Sequence, residues 1–139
     1  MIFQHTIDLV LSRRKTLTTR LMNPGDALRL RTVEGTLERQ LAVLSAADRP
    51  RWILDHTYAV QAARGAPAAG RIRVVSLAAV DVPKDLDDAY ARAEGFDDVA
   101  GFLAVWRELH GRRARKAWAI GFELVEVSPA AAAEARRAG

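Results

Sequence analysis

Between Arg13 and Arg20 the chain places four cations, Arg13, Arg14, Lys15 and Arg20, among three threonine hydroxyls, Thr16, Thr18 and Thr19. Lysine is scarce elsewhere: only Lys15, Lys84 and Lys116 interrupt a cation set that is otherwise arginine. A lysine kept where arginine is the rule suggests a task for a compact, titratable ammonium instead of a fixed guanidinium fork. The plainer reading of the same residues is a solvated basic turn that leads into a threonine-rich edge strand.

A second basic run holds Arg107, Arg112, Arg113, Arg115 and Lys116 against Glu108 alone. The acids gather between the two runs, at Asp81, Asp85, Asp87, Asp88, Glu94, Asp97 and Asp98. Net charge is +4. If the basic runs meet in space they form a field that attracts phosphate; otherwise they decorate an ordinary surface. Arg13, Arg14, Arg20 and Arg64 are candidate phosphate contacts, and Tyr58 is a candidate ring for stacking on a base. Tyr58 and Trp52 equally suit a core or a sheet rim.

Other chemistries find no footing. The chain has no cysteine, so thiolate catalysis, disulfides and cysteine-ligated metals are out, which fits a reducing cytoplasm. His5, His56 and His110 have no metal-site spacing, and no glycine loop is built to cradle phosphate. No cofactor is implied. The first residues carry no signal-peptide pattern, and no apolar run nears the ~20 residues that cross a bilayer.

The elements that must hold these residues follow from periodicity. The 139 residues suit one domain with a tail from about 129, short helix or disordered. Residues 1–3 suit a short strand. Ile7, Val10 and Leu11 recur at helical spacing within 5–11. Residues 15–21 read as a strand, the Asn23-Pro24-Gly25-Asp26 stretch as a turn, and residues 27–32 as an alternating strand. Residues 33–57 resist assignment; irregular β-structure with a short strand at Trp52 to Leu54 is expected. After a glycine- and proline-bearing loop, residues 70–80 alternate as a strand that continues through a bulge or bend towards Val82. Helices are expected at 85–94, stopped by Gly95, and at 98–110, capped by Asp97 and stopped by Gly111. The last strand is 118–127. One register problem stands out: on a regular strand Thr16, Thr18 and Arg20 share a face that Lys15 does not. Lys15 must precede the pleat, or the strand must be distorted.

This order, and the Lys15-Thr16-x-Thr18-x-Arg20 stretch in particular, resembles the ASCH family of the PUA-like superfamily. Its Gly-x-Lys-x-x-x-x-Arg pattern falls on Arg13, Lys15 and Arg20, and Pro24 to Asp26 looks like its following turn. Residues 58–65 and 70–72 resemble a segment of longer members. Ala93 to Phe96 and Trp106 to His110 resemble the helical part, and Phe122 to Leu124 the closing strand. Arg13 departs from the family, which has glycine there. Glycine would permit a positive φ or a close backbone approach, whereas arginine supplies a charged arm.

The resemblance implies an α+β fold, a small PUA-like mixed β-barrel of five to six strands with helices packed at its openings. It implies binding of RNA or a modified nucleoside through a Lys/Thr/Arg basic cleft. It also implies, as an alternative, a metal-independent amidohydrolase acting on N4-acetylcytidine, with Thr18 as nucleophile, Lys15 as base and Glu94 as third member. A ribonuclease and a protein-interaction module without nucleic acid are further alternatives. The hydroxyl needs a base within reach, and Lys15 can serve only if its pKa falls, as Arg13, Arg14 and Arg20 favour and Glu94 opposes. A monomer or homodimer, without a membrane partner, completes the expectation.

Overall fold

A computed structural model describes residues 1–138. These residues form an α+β fold, with seven strands in two antiparallel sheets and four helices. β1 (Leu17–Leu21), β2 (Ala27–Thr32), β3 (Arg39–Leu44), β4 (Pro50–Ile53), β5 (Thr57–Val60), β6 (Gly70–Val82) and β7 (Arg115–Val127) form the sheets. α1 (Ile7–Leu11) precedes β1, α2 (Asp88–Ala93) and α3 (Val99–His110) link β6 to β7, and α4 (Pro129–Ala138) ends the chain. The larger sheet has the order β1-β7-β6-β5 and the smaller β2-β3-β4. Seven strands exceed the expected five or six because residues 33–57 supply β3, β4 and the start of β5. The two ladders are not joined into one closed sheet.

β7 is an interior strand, paired with β1 and β6, and its sequence shows why. Trp118, Ile120, Phe122 and Leu124 face one way, and Ala117 and Ala119 the other, all nearly inaccessible. The large side chains meet Val74 and Leu77 of β6 and Val43 of β3, with Phe3, Val10 and Ile72 further along. The small ones leave room for α2 and α3, whose Ala91, Phe102 and Trp106 cover Ala117 and Val82. Each fully buried Ile or Val stabilises the core by ~1.5–3 kcal/mol. The expected bend in β6 is a register shift between Val74 and Ser76, where the buried phase passes from Val74 to Leu77. Gly121 sits opposite: a Cβ there would lie 2.0 Å from Ser76 Oγ.

Several boundaries differ from expectation. β1 begins at Leu17, not 15, because the amides of Lys15 and Thr16 donate to Leu9 and Ala93 carbonyls, at 2.9 and 2.8 Å, instead of joining a ladder. α2 begins at Asp88, since Asp85 turns its carboxylate onto the Asp81 amide, and Asp87 caps the helix by accepting from Tyr90 N–H at 2.7 Å. Asp98, not Asp97, caps α3, accepting from Gly101 N–H at 2.8 Å. Residues 1–3 contribute only an isolated bridge between Ile2 and Gln61. No helix among the described residues is long and apolar enough to cross a membrane.

Candidate functional site

Lys15, Thr18 and Glu94 are the buried polar or charged residues of the described chain, each 3–4% exposed. All three line one cleft of about 320 Å³. β1 gives its floor, residues 2–6 one wall, and α3 with Phe96 the other.

Each position has a local cause. Lys15 lies before the pleat begins, which resolves the register problem: its side chain is free of β1's alternation. Thr18 stands opposite Ile120 of β7 and shares that residue's inward face. Glu94 is the C-terminal cap residue of α2, and Gly95, at φ +96°, ends the helix there. A Cβ at Gly95 would come within 2.8 Å of Leu9 Cδ1, so the turn that presents Glu94 needs glycine twice over.

The Lys15 ammonium donates to the Glu94 carboxylate and, at 3.1 Å, to the Glu94 carbonyl. That carbonyl is one that the helix end leaves without an intrahelical partner, at the negative end of the dipole. Two of three ammonium protons are therefore placed on Glu94. No third hydrogen-bond partner of Nζ occurs among the described residues; that position carries an N–H when lysine is charged and a lone pair when it is neutral. Burial pushes the Lys15 pKa down; Glu94 and its hydrogen bond pull it back, and Arg20 pushes down again, leaving it below the ordinary lysine value. The sign that the sequence left open is thus set by burial.

Glu94 is itself held. Thr19, on the opposite face of β1 from Thr18, donates its hydroxyl to Glu94 Oε1 and lies 2.5 Å from the Tyr90 hydroxyl. A threonine hydroxyl has one proton, so Thr19 must accept from Tyr90. Burial raises the Tyr90 pKa, and Glu94 raises it further against the Thr19 hydrogen bond, which keeps the phenol protonated as this relay requires. Both residues escape sequence reasoning: Tyr90 sits in the apolar stripe of α2, and Thr19 looks like a strand-former.

The other expected ligand residues divide. Arg20 joins the cleft; its Nη2 donates to the Ile2 carbonyl at 2.7 Å and its guanidinium lies 5.2 Å from the Phe3 ring centre. Arg20 Nε and Trp106 Nε1 are buried without a protein partner, although both side chains line the cleft. Arg13 lies outside it: the residue adopts φ +65°, the left-handed conformation the glycine would have favoured, and Nη1 donates to the Leu124 carbonyl at 2.9 Å. Arg14 and Arg64 are exposed and do not line it. Tyr58 is a core residue whose hydroxyl accepts from Ile53 N–H at 2.8 Å, so it offers this cleft no stacking face. Phe96, Phe102 and Trp106 line it instead, the last two buried and stacked on each other, and His110, its pKa lowered by burial and by Arg115, closes against Trp106. No three His, Asp or Glu side chains gather as a metal site among the described residues.

In comparisons with protein families, curated proteins and solved structures, nothing matches the chain.

Proposed function

We propose that the cleft binds a modified nucleoside and removes an acyl group from its exocyclic nitrogen, as in N4-acetylcytidine. One observation carries this reading: Lys15, Thr18 and Glu94, the set that the ASCH resemblance makes catalytic, are buried together around one cleft. The resemblance likewise makes the two sheets the walls of a PUA-like barrel. A volume of about 320 Å³ lies at the small end of the ~300–1,000 Å³ range of ligand pockets and suits one nucleoside better than a strand.

In the proposed reaction the bound substrate brings Thr18 Oγ1 and Lys15 Nζ, which share no hydrogen bond in the structure, within reach of each other, and neutral Lys15 takes the Thr18 hydroxyl proton as Oγ1 bonds to the acyl carbon. The carbon–N4 bond then breaks, and the Lys15 proton passes to N4, releasing cytidine. Water cleaves the acetyl-threonine ester to give acetate and restores the hydroxyl. Glu94 positions Lys15 throughout by occupying its other two N–H groups.

Purified protein is expected to convert N4-acetylcytidine to cytidine and acetate, followed by chromatography. Lys15→Met should slow it ~10²–10⁴-fold, the range of general-base catalysis. Adding Thr18→Ala should cost little more, because parts of one unit are non-additive. Full activity in Lys15→Met, or no turnover by wild type, would overturn the hydrolase reading.

RNA binding is the second reading. Met22 N–H donates to the Lys116 carbonyl at 3.1 Å, so the ends of the two basic runs adjoin at the β1–β7 ladder. RNA affinity that falls steeply with salt would support it; no affinity at low salt would remove it.

A further inference from the structure

We infer that the open edge of β1 reads the ligand's base, with the Thr19 N–H and C=O as a donor–acceptor pair for the hydrogen-bonding edge of a nucleobase. The inference rests on the nucleoside reading above and names how that ligand is recognised.

β1 has one neighbour in its sheet, β7. An antiparallel strand alternates its backbone groups, so half of β1's N–H and C=O groups point away from β7. The phase is fixed at both ends. Phe122 N–H donates to the Thr16 carbonyl at 2.9 Å, and Met22 N–H to the Lys116 carbonyl at 3.1 Å. Even-numbered residues of β1 therefore face β7, and Leu17, Thr19 and Leu21 face outwards. Thr18, Thr19, Arg20 and Leu21 all line the cleft, as a strand does when its edge borders the space.

The edge is short. Beyond one end the Lys15 N–H is spent on Leu9, and at the other the Leu21 carbonyl accepts from Arg51 at 3.4 Å. Leu17 does not line the cleft. Thr19 is thus the one residue there with both backbone groups turned to the cleft. A peptide adding a strand needs a succession of such pairs. A single pair suits a flat molecule with adjacent donor and acceptor atoms, as on the Watson–Crick edge of a base. An N4-acylated cytosine presents an N4–H donor beside an N3 acceptor, the complement of a carbonyl beside an N–H. Phe96, half-buried at the cleft and packed edge-on against the buried Phe102, gives the same cleft an aromatic ring beside which a base can lie.

Amide hydrogen exchange followed by NMR tests this in two arms. Without ligand, the Thr18 and Arg20 amides should exchange slowly and the Thr19 amide at least tenfold faster; slow Thr19 exchange in the free protein would overturn the inference. In the second arm Thr18→Ala protein, in which the proposed hydrolysis is blocked, is saturated with N4-acetylcytidine. Thr19 exchange should then slow at least tenfold, and the 3-deaza and N4-methyl analogues should each bind at least tenfold more weakly. Equal binding by both analogues would overturn it. Should N4-acetylcytidine fail to bind while cytidine, uridine, adenosine or guanosine protects the Thr19 amide, the hydrolase reading falls and the edge inference stands. Protection by an extended peptide only, or by nothing tried, would overturn the edge inference itself.

Discussion

Glu94→Gln removes the charge that holds Lys15 and leaves the shape of the site nearly intact. Both side chains are 4% exposed, so the lysine has almost no water to turn to. Removing one partner of a buried pair costs ~3–5 kcal/mol when the other must remain charged. For 139 residues, an unfolding entropy of ~2.1 cal/mol/K per residue gives ~0.3 kcal/mol/K, so the expected fall in Tm is ~10–17 °C. The loss should depend on pH, and its sign follows from linkage. In wild type the Glu94 carboxylate raises the Lys15 pKa against burial and Arg20; without its charge the lowering influences gain, and the Glu94 backbone carbonyl stays as an acceptor. The variant's lysine therefore gives up its proton at a lower pH than the wild type's. Between those two pKa values the variant's folded state binds fewer protons than the unfolded chain, and its stability rises with pH. The gap between wild type and variant should be widest at pH 6 and narrow towards pH 9. Urea unfolding at pH 6, 7.5 and 9, followed through the fluorescence of Trp52, Trp106 and Trp118, measures it. A loss below ~1 kcal/mol with no pH dependence would mean that the pair behaves as a solvated surface contact, and the argument for a buried, titratable lysine would fail.

Three further outcomes are expected. Tyr90→Phe, which touches the cleft only through Thr19, should lower kcat of the proposed N4-acetylcytidine hydrolysis several-fold with KM little changed. Thr19→Val should do more and Thr19→Ser restore activity; equal loss in Val and Ser variants would deny the relay. Asp26, whose carboxylate accepts from Asn23 N–H, Trp118 Nε1 and Arg51, has its pKa raised by burial but lowered further by these donors, to a net fall. Its stabilisation is present above the unfolded pKa of ~3.9 and lost as pH falls through the lower folded value, so Asp26→Asn should cost ~2 kcal/mol at pH 7 and less near pH 3 in chemical unfolding. At Arg13, φ +65° favours glycine by ~1 kcal/mol over a residue with Cβ, so Arg13→Gly should unfold at higher urea than Arg13→Ala; the reverse order would remove the backbone argument.

Much of the fold was legible because alternation and capping are local. Residues 70–80 and 118–127 alternate over long enough spans to declare strands, and Asp85 and Asp97 declare helix starts slightly ahead of the caps that the fold uses, Asp87 and Asp98. Residues 33–57 were legible only as β-structure with a short strand near Trp52, which is β4 (Pro50–Ile53); how they pair was not. Val43 and Trp52 acquire a meaning only when β3 and β4 meet the large side chains of β7, a contact made across some seventy residues.

The candidate site divides in the same way. By itself the sequence determined that Lys15 is an unusual cation among hydroxyls, that Gly95 ends a helix beside an acid, and that no thiol chemistry is available. Only tertiary structure decided which charges lose their water. Lys15, Thr18 and Glu94 became buried because α2, β1 and the segment before it close on one another, and burial then set the direction of the Lys15 pKa that neighbouring charges alone left open. The same closure separated Arg20, drawn into the cleft, from Arg13 and Arg14, which are equally basic and sit a few residues away. Charge is a property of composition; the dielectric that gives a charge its chemistry belongs to the fold.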